Sequence, residues 1–358
     1  MKRTLTFCAF ALLAGTSVAY AGGASPGTCT ATGYMQDGID LTAALINPGN
    51  LTGDVNATGC NIGVYYSSGT HNVIRANIHG SNYYGILNNG GNVNVEASSI
   101  SEIGEKPFNG DQHGVGIYWV GGSGAKGNIV GNFLWDYQKD GIAVHGPKTA
   151  ASILNNNVIG LGPVNFIAQN GIEVGLGAVT IVQGNLVSGH SYTGPNEASS
   201  GGILLYGGAC FGGAVTANTV IQQNSGLGND VGIYMVNLDV NCNPVTTATK
   251  NAALANALIN NAINNTTGDG PARGYQAGID DQGDFDVIAN NFICGLGYTS
   301  PSTPTAFTVP IDTTDTNHPV VSNNTICPST FAPAEAAMAT ANVTPAKPAG
   351  HLQVSPIK

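Results

Sequence analysis

Charged side chains are scarce in this chain. Only 11 basic and 21 acidic residues occur among 358, a charged share of 9%, against about a quarter in an ordinary soluble domain. Partners that carry many phosphates need lysines and arginines to neutralise them, and this chain has few. Neither nucleic acid nor an anionic membrane surface is therefore expected as a partner. Beyond the N-terminus no apolar run is long enough to span a bilayer, so no membrane insertion is expected.

The composition also lacks the features of disordered, fibrous and long-helical chains. The apolar share of 42% is too high for a disordered chain, and the 51 glycines do not recur at every third position as in collagen. Gly, Asn, Thr and Val are abundant where a long helix would use strong helix formers. The composition therefore favours a β-rich protein with many tight turns and a sizeable core.

The N-terminus predicts export. Two basic residues precede a short apolar run at 5–14, and the small residues Ala19 and Ala21 are typical of a signal-peptidase site. Residues 1–21 are therefore expected to be a cleavable Sec-type signal peptide, cut after Ala21, which makes the mature protein secreted or periplasmic. The alternative is an N-terminal membrane anchor, which needs about 20 apolar residues. The mature chain keeps nine basic and 21 acidic residues, a formal charge of −12.

A short internal repeat runs through most of the chain. The dipeptide Gly-Ile recurs with intervals of 25 to 46 residues between successive isoleucines. These isoleucines are Ile86, Ile117, Ile142, Ile172, Ile203, Ile233 and Ile279. Apolar segments that contain an asparagine alternate with the dipeptides. Their asparagines are Asn77, Asn132, Asn157, Asn185, Asn218, Asn291 and Asn324.

Two or three short strands in each period of about 30 residues, with no helix between them, predict a coil of strands. Successive coils would stack about 4.8 Å apart. The Ile of each Gly-Ile is expected to point inward, and the residues one and three later outward. The asparagines are expected to stack at a bend and to bond from coil to coil. Because they recur in nearly every coil, their predicted role is structural.

The Gly-Ile-x-Val and Ile-x-x-Asn-x-Ile strings resemble the repeats of the pectate-lyase-like superfamily, over roughly residues 60–328. The resemblance implies an all-β fold, a single-stranded right-handed parallel β-helix (solenoid) of about nine to ten coils. The divisions are then a signal at 1–21, an N-terminal cap at 22–60, the β-helix at 61–328 and an Ala- and Pro-rich tail at 329–358. Because that superfamily holds lyases, hydrolases, epimerases and non-catalytic proteins, no single reaction is implied.

Two segments depart from the repeat. Residues 40–46 are expected to form a short helix in the cap. Residues 248–263, rich in Ala and Asn, are interpreted as an insertion that lengthens one interval to 46 residues.

The cysteines follow the same repeat. Six remain in the mature chain, an even number typical of three disulfides in an exported protein. Six cysteines allow 15 pairings. The sequential one is favoured because the last two cysteines hold equivalent places in successive repeats. The predicted pairs are Cys29 with Cys60, Cys210 with Cys242, and Cys294 with Cys327.

The outward columns beside the Gly-Ile strands are mostly apolar or aromatic, so their few polar groups stand out. The candidate catalytic residues are Lys139, Glu173, His145 and Tyr206, together with the loop residue His113. The candidate substrate-binding residues are Tyr118, Gln169, Asn170, Tyr234 and Asp230.

A sheet face with tyrosines and scattered polar groups suits a sugar chain. The expected partner is therefore a polysaccharide or oligosaccharide, bound by a monomer. Loops at 101–115, 161–170 and 190–201 enter the same edge of this face, where they are expected to form a cleft. The alternative is an ordinary solvated face in which aromatic ladders stabilise the stack and the loop histidine has no role.

Two reactions on a polysaccharide are compatible with these residues. A glycoside hydrolase usually needs two carboxylates about 5 to 9.5 Å apart, but Glu173 has only apolar neighbours in its column, and Asp140 is predicted to point inward. A lyase needs a base, a proton donor and a group that neutralises a carboxylate, which Lys139 or a histidine, a tyrosine and an amide could supply. The arginine base usual in pectate lyases is missing from this face, since the mature chain has only Arg75 and Arg273.

The expected function is therefore action on an extracellular polysaccharide, as a lyase or, second, as a hydrolase. The alternative is a non-catalytic carbohydrate-binding or surface adhesion protein.

An acidic run at 280–286 offers a metal site. Asp280, Asp281 and Asp284 supply hard oxygen ligands of the kind that Ca²⁺ prefers. Their spacing is not that of a known calcium loop, and an acidic turn is the alternative. Ca²⁺ is the one cofactor that the sequence suggests.

Overall fold

The fold is known from a computed structural model that describes residues 20–21, 28–196, 198–266 and 274–329. Most of the predicted signal and nearly all of the predicted C-terminal tail lie outside the described residues, so neither prediction is tested. Within the described part the chain is almost entirely β-structure. The short helices are an α-helix at Leu296–Thr299 and 3₁₀ turns at Gly121–Ser123 and Ala209–Phe211.

Among the described residues, one sheet has eleven strands and carries all the Gly-Ile dipeptides. Its strands are Thr30–Gln36, Ile39–Ile46, Ile62–Tyr66, Tyr84–Asn88, Val115–Val120, Asp140–His145, Asn170–Gly175, Gly201–Gly207, Val231–Asn237, Gly274–Gln282 and Ala306–Asp312. All neighbours in it pair in parallel except the first two, which form an antiparallel hairpin.

The second sheet in the described part of the chain has nineteen strands in two parallel ladders that share the long strand Thr70–His79. The first ladder comprises Tyr20–Ala21, Asn50–Asn56, Thr70–His79, Asn92–Glu96, Lys126–Val130, Ala150–Leu154, Val179–Gln183, Val220–Gln222, Ala252–Leu254, Val287–Ala289 and Val320–Ser322. The second comprises Ser99–Ser101, Phe133–Leu134, Asn157–Val164, Leu186–Tyr192, Ser225–Leu227, Ala257–Ile259, Phe292–Cys294 and Thr325–Ile326. A strand from the eleven-stranded sheet and one from each ladder thus make one coil, an arrangement consistent with a β-solenoid.

The core lies between three walls, which are the eleven-stranded sheet and the two ladders of the second sheet. Every isoleucine of the Gly-Ile series is buried there, as predicted, alongside inward residues of both ladders such as Ile153 and Val158. Successive side chains of a strand alternate between its two faces, so every second residue points into the core. Each inward side chain then has its equivalent in the coils above and below.

A line of asparagines joins the coils at the bend between the two ladders. Its members are Asn132, Asn156, Asn185, Asn224, Asn256, Asn291 and Asn324. Each of the first six donates both its backbone N–H and its side-chain amide to Oδ1 of the next. The predicted ladder was therefore right in kind but wrong at Asn77, Asn157 and Asn218. The true members each follow a residue with positive φ, such as Asn155 at 54°, because the chain must turn sharply just before the ladder position.

The N-terminal cap is a hairpin, so the predicted helix at 40–46 is wrong. The strand Ile39–Ile46 pairs with Thr30–Gln36 through the turn residues Asp37 and Gly38, whose φ values are 50° and 80°. Asp-Gly between two alternating segments is a strong hairpin signal, which the sequence did contain.

The segment 248–263 is not an insertion. It supplies the strands Ala252–Leu254 and Ala257–Ile259, which pair in register with both neighbouring coils. The long interval instead arises in the connections at 238–251 and 260–273.

The three disulfides pair as predicted: Cys29–Cys60, Cys210–Cys242 and Cys294–Cys327. The first links the hairpin region to the next coil, and the last links the two final coils of the second ladder region. Three disulfides are typical of an oxidising compartment, outside the cell or in the periplasm. No helix among the described residues is long and apolar enough to cross a membrane.

Candidate active site

The glycine before each isoleucine interrupts the alternation of inward and outward side chains along the strand. The first residue of the strand therefore faces away from the core. A Cβ on Gly141 would lie 2.3 Å from Val158 Cγ1, and one on Gly171 would lie 2.3 Å from Val187 Cγ1. These glycines therefore face inward together with the isoleucines that follow them, as in a β-bulge. The residue before the glycine then lies outside the core, so the prediction that Asp140 points inward is wrong.

Asp140 and Glu173 meet through one amide. Nδ2 of Asn170 donates to Oδ1 of Asp140 at 3.1 Å and to Oε2 of Glu173 at 2.9 Å. Asn170 lies beside Asp140 on the neighbouring strand, and Glu173 follows three residues later on the same strand. All three side chains are buried. The carboxylate pair that the sequence failed to supply is therefore present on adjacent strands.

His145 lies against Glu173. Its Nε2 is 2.9 Å from Glu173 Oε1, and Glu173 also interacts with the Tyr206 hydroxyl. The imidazole is held edge-on between two tyrosines, with ring centroids 5.2 Å from Tyr118 and 5.3 Å from Tyr206. Both hydroxyls lie within 3.5 Å of a ring nitrogen. Three of the predicted catalytic residues thus share one cluster with Asp140.

Burial controls the protonation of this cluster. It raises the pKa of Asp140 well above its usual range, and the charge of Glu173 raises it further, against smaller opposing effects from Lys139 and Asn170. Burial, followed by nearby charges, likewise holds the pKa values of Tyr118 and Tyr206 well above their usual range. These effects favour the protonated form of Asp140 beside a second carboxyl group, and such a difference in environment is how two carboxyls acquire separate acid and base roles.

Lys139 is buried but does not reach the carboxylates. Its Nζ donates to the carbonyl oxygen of Ala168 at 2.9 Å. The three predicted loops meet near this point. Ala168 packs with Tyr192 and Ala198 of the third loop, and Phe166 contacts Phe108 of the first loop at 6.5 Å between ring centroids. The loops therefore close on one another, and the face that the sequence predicted as exposed is buried.

Four other predicted site residues lie outside the cluster. His113 stacks on Tyr83 with centroids 3.9 Å apart, and its Nε2 is 3.3 Å from Glu105 Oε1. Gln169 donates to the carbonyls of residues 137 and 138 and accepts from the amide of residue 161, so its side chain secures a bend. Tyr234 lies two coils further along and accepts a hydrogen bond from Gln282.

Asp230 is a buried carboxylate with three partners. It accepts from the hydroxyl of Ser191 and from the amides of Tyr192 and Ser200, at 2.7 to 3.1 Å. Burial raises the pKa of Asp230 to about 7 despite these bonds. Its contacts orient the third loop and leave it no direct part in the cluster.

Asp280 and the later aspartates of the acidic run have different partners. Asp280 pairs in register with Asp312 in the eleven-stranded sheet, whereas Asp281 interacts with Asp286 and Asp284 contacts His318 Nδ1 at 2.8 Å. No group of three His, Cys, Asp or Glu among the described residues is arranged to hold a metal ion.

A buried tyrosine and a buried histidine beneath the carboxylate cluster form a pair that the sequence did not reveal. The Tyr137 hydroxyl lies 2.6 Å from His190 Nε2, and His190 Nδ1 lies 2.9 Å from Asn229 Oδ1. Burial lowers the pKa of His190 to about 4, so the ring is neutral. The pair fills the space directly under Gly141 and Gly171. It supports the two strands of the site with polar groups whose hydrogen bonds are satisfied.

Comparison with known proteins identifies no family. No protein-family model matches the chain, and no curated protein is significantly similar to it. Function is therefore inferred from the geometry of the site.

Proposed function

We propose that the protein is an exported right-handed parallel β-helix, released by a cleavable signal, that hydrolyses a polysaccharide at Asp140 and Glu173. The observation that supports this is the bridge from Asn170 to both carboxyl groups. One amide nitrogen touches both, so the two bonded oxygens are at most about 6 Å apart. Carboxyl groups about 5 to 5.5 Å apart are typical of glycosidases that retain anomeric configuration.

The roles follow from protonation. Asp140, whose pKa is raised by burial and by the charge of Glu173, donates its proton to the glycosidic oxygen as general acid. Glu173 attacks the anomeric carbon as nucleophile, and the deprotonated Asp140 then activates the water that releases the sugar. Asn170 orients both groups, and the rings of Tyr118 and Tyr206 offer apolar surface for a sugar face.

A lyase reaction is less well supported. Its predicted base, Lys139, donates to a backbone carbonyl in the loop at 161–170. Its predicted donor, Tyr206, contacts His145 and also interacts with Glu173. Lys139 is therefore not aimed at the carboxylate pair, and no arginine lies beside the pair among the described residues.

The burial of the cluster favours a second candidate, a β-helix that binds glycans elsewhere and uses Asp140, Asn170 and Glu173 only as structure. Under the catalytic proposal the loops that meet at Ala168 must separate to admit a sugar chain. Under the structural alternative they stay closed, and neutralising the carboxylates should stabilise the fold.

The test is to incubate the mature protein with a panel of polysaccharides and to follow reducing ends and, separately, the absorbance of unsaturated uronates. Hydrolysis predicts reducing ends without that absorbance, and retention at the anomeric carbon by proton NMR. Asp140→Asn and Glu173→Gln should each lower the rate at least a hundredfold. Glu96→Gln, an exposed carboxylate on another wall, is the matched control. Unsaturated products would establish a lyase instead, and no products from any polysaccharide would leave the binding alternative.

A further inference from the structure

The last coil of the described stack has an incompletely buried core. Its inward residues are Ile311, Val321 and Ile326, one on each wall. All three retain surface that solvent reaches, and Val321 is 42% exposed. Their equivalents one coil earlier, at 279, 288 and 293, are fully buried. The core is therefore open at this end.

The strand edges at this end are open as well. Ala306–Asp312, Val320–Ser322 and Thr325–Ile326 each pair with a strand of the preceding coil, and no further strand pairs with them among the described residues. Open edges invite pairing with other chains, and stacked repeats need a cover at their ends. The opposite end differs, since its inward residues Leu51 and Val55 are buried.

Charge argues against a second copy of this end as the cover. Residues 274–329, which form the last two coils, contain six aspartates and no lysine or arginine. Two such ends that faced each other would repel. The open core is also small, since three side chains are far fewer than the about 20 to 30 residues on each side of a stable dimer.

The chain itself supplies a segment that suits this end. Residues 330–358 follow directly on Ser329, which lies three residues beyond the last strand. They contain two lysines and one glutamate, so their charge is opposite in sign to that of the last two coils. Their larger apolar residues are Phe331, Met338, Val343, Leu352, Val354 and Ile357. A segment tethered so close has an effective concentration on the order of millimolar, so weak contacts suffice to hold it.

We propose that residues 330–358 cover the open end, with their apolar side chains on the three accessible core residues and their lysines toward the acidic last two coils. This cover removes both the apolar surface and the strand edges from contact with other chains. It is independent of the reaction at Asp140 and Glu173.

Hydrogen exchange of the mature protein tests the cover. Amides of the last coil, at 306–312 and 320–326, are compared with those of the inner strand Asn170–Gly175. The comparison is made in the full mature chain and in a chain that stops after Ser329. Without residues 330–358 the last coil should exchange at least tenfold faster, while the inner strand keeps its rate. Equal last-coil rates in the two chains would overturn the proposal.

A charge reversal tests the same contact in the full chain, so it does not depend on the folding of the shortened chain. Lys347→Glu with Lys358→Glu should speed last-coil exchange at least threefold in low salt, and the difference should shrink in high salt. Lys126→Glu with Lys148→Glu, at exposed positions of other coils, makes the same change in net charge and is the control. Equal exchange in the two double variants would contradict the proposal.

The association state separates this cover from a second copy of the chain. The full mature protein should sediment as a monomer, and its last-coil exchange should not depend on protein concentration. The shortened chain should associate more strongly, because its strand edges are open. A full-length dimer whose last coil loses protection on dilution would overturn the proposal in favour of end-to-end pairing.

Discussion

The side-chain amide of Asn156 donates a hydrogen bond at 2.9 Å to Oδ1 of Asn185, its equivalent one coil along. The same Nδ2 also donates to the carbonyl of Ile129 in the preceding coil, and Oδ1 accepts from Asn132. One side chain thus connects three successive coils. Its sequence neighbour Asn157 lies at the start of a strand, where its Oδ1 has no partner.

This pair gives a matched test of the ladder. Asn156→Ala leaves several buried backbone and amide groups without partners, each worth about 1 to 3 kcal/mol. The free energy of unfolding should therefore fall by about 3 kcal/mol or more. Asn157→Ala should change it by less than about 0.5 kcal/mol. Urea unfolding followed by circular dichroism measures both, and equal losses would mean that the ladder bonds contribute little.

The contact between Lys139 and the loop at 161–170 predicts a local effect. Lys139→Met removes the bond from Nζ to the Ala168 carbonyl, and a charged hydrogen bond is worth about 1.5 to 3 kcal/mol. Amides at 161–168 should therefore exchange with deuterium at least tenfold faster. Lys126→Met, at an exposed position of another wall, should leave them unchanged. Identical exchange in both variants would show that this contact does not hold the loop closed.

The buried carboxyls of Asp281 and Asp286 predict a pH dependence of stability. Burial raises the pKa of Asp281 to about 8, and the charge of Asp286 adds to the shift. A carboxyl whose folded pKa lies above its unfolded value stabilises the fold fully only below about pH 4. That contribution is lost as the pH rises through the folded pKa, here toward about 8.

Asp281→Asn copies the protonated state and should flatten this part of the profile, so that the variant gains on the wild type as the pH rises from 4 to 8. Melting temperatures across that range measure the effect. Asp111→Asn, an exposed carboxyl, should follow the wild-type curve. A parallel profile for Asp281→Asn would show that the two aspartates are not coupled in this way.

The disulfide Cys294–Cys327 joins the last two coils. Replacing both cysteines by alanine should destabilise this end by about 2 to 4 kcal/mol. Because each coil contacts only its neighbours, exchange should accelerate at 320–327 and stay unchanged in the strand Asn170–Gly175. Uniform acceleration along the chain would instead mean that the molecule unfolds as one unit.

The recurrence of Gly-Ile was enough to predict the inward isoleucines, the stacked coils and the disulfide Cys294–Cys327, because repeated positions must become neighbours. The repeat did not predict the role of a side chain at positions where a shift of one residue changes that role. Asn157 was chosen over Asn156 because the position of the turn residue with positive φ is not visible in the apolar pattern. Asp140 was assigned inward because strict alternation ignores the bulge that Gly141 makes.

The site itself was only half visible in the sequence. Glu173, His145, Tyr118 and Tyr206 share one face by register, which the repeat predicts. Their burial was not predictable, because it depends on how the loops at 101–115, 161–170 and 190–201 meet, and loops have no repeat to guide them. The same reason explains why the loop residue His113, a candidate catalytic residue, lies instead against Tyr83.

The two terminal disulfides have a mechanical consequence. A stack whose coils touch only their neighbours should fray from its ends, where a coil has one partner instead of two. Here Cys29–Cys60 and Cys294–Cys327 bind the first and last coils covalently to the stack. The ends are therefore reinforced against peeling and against proteases that start there.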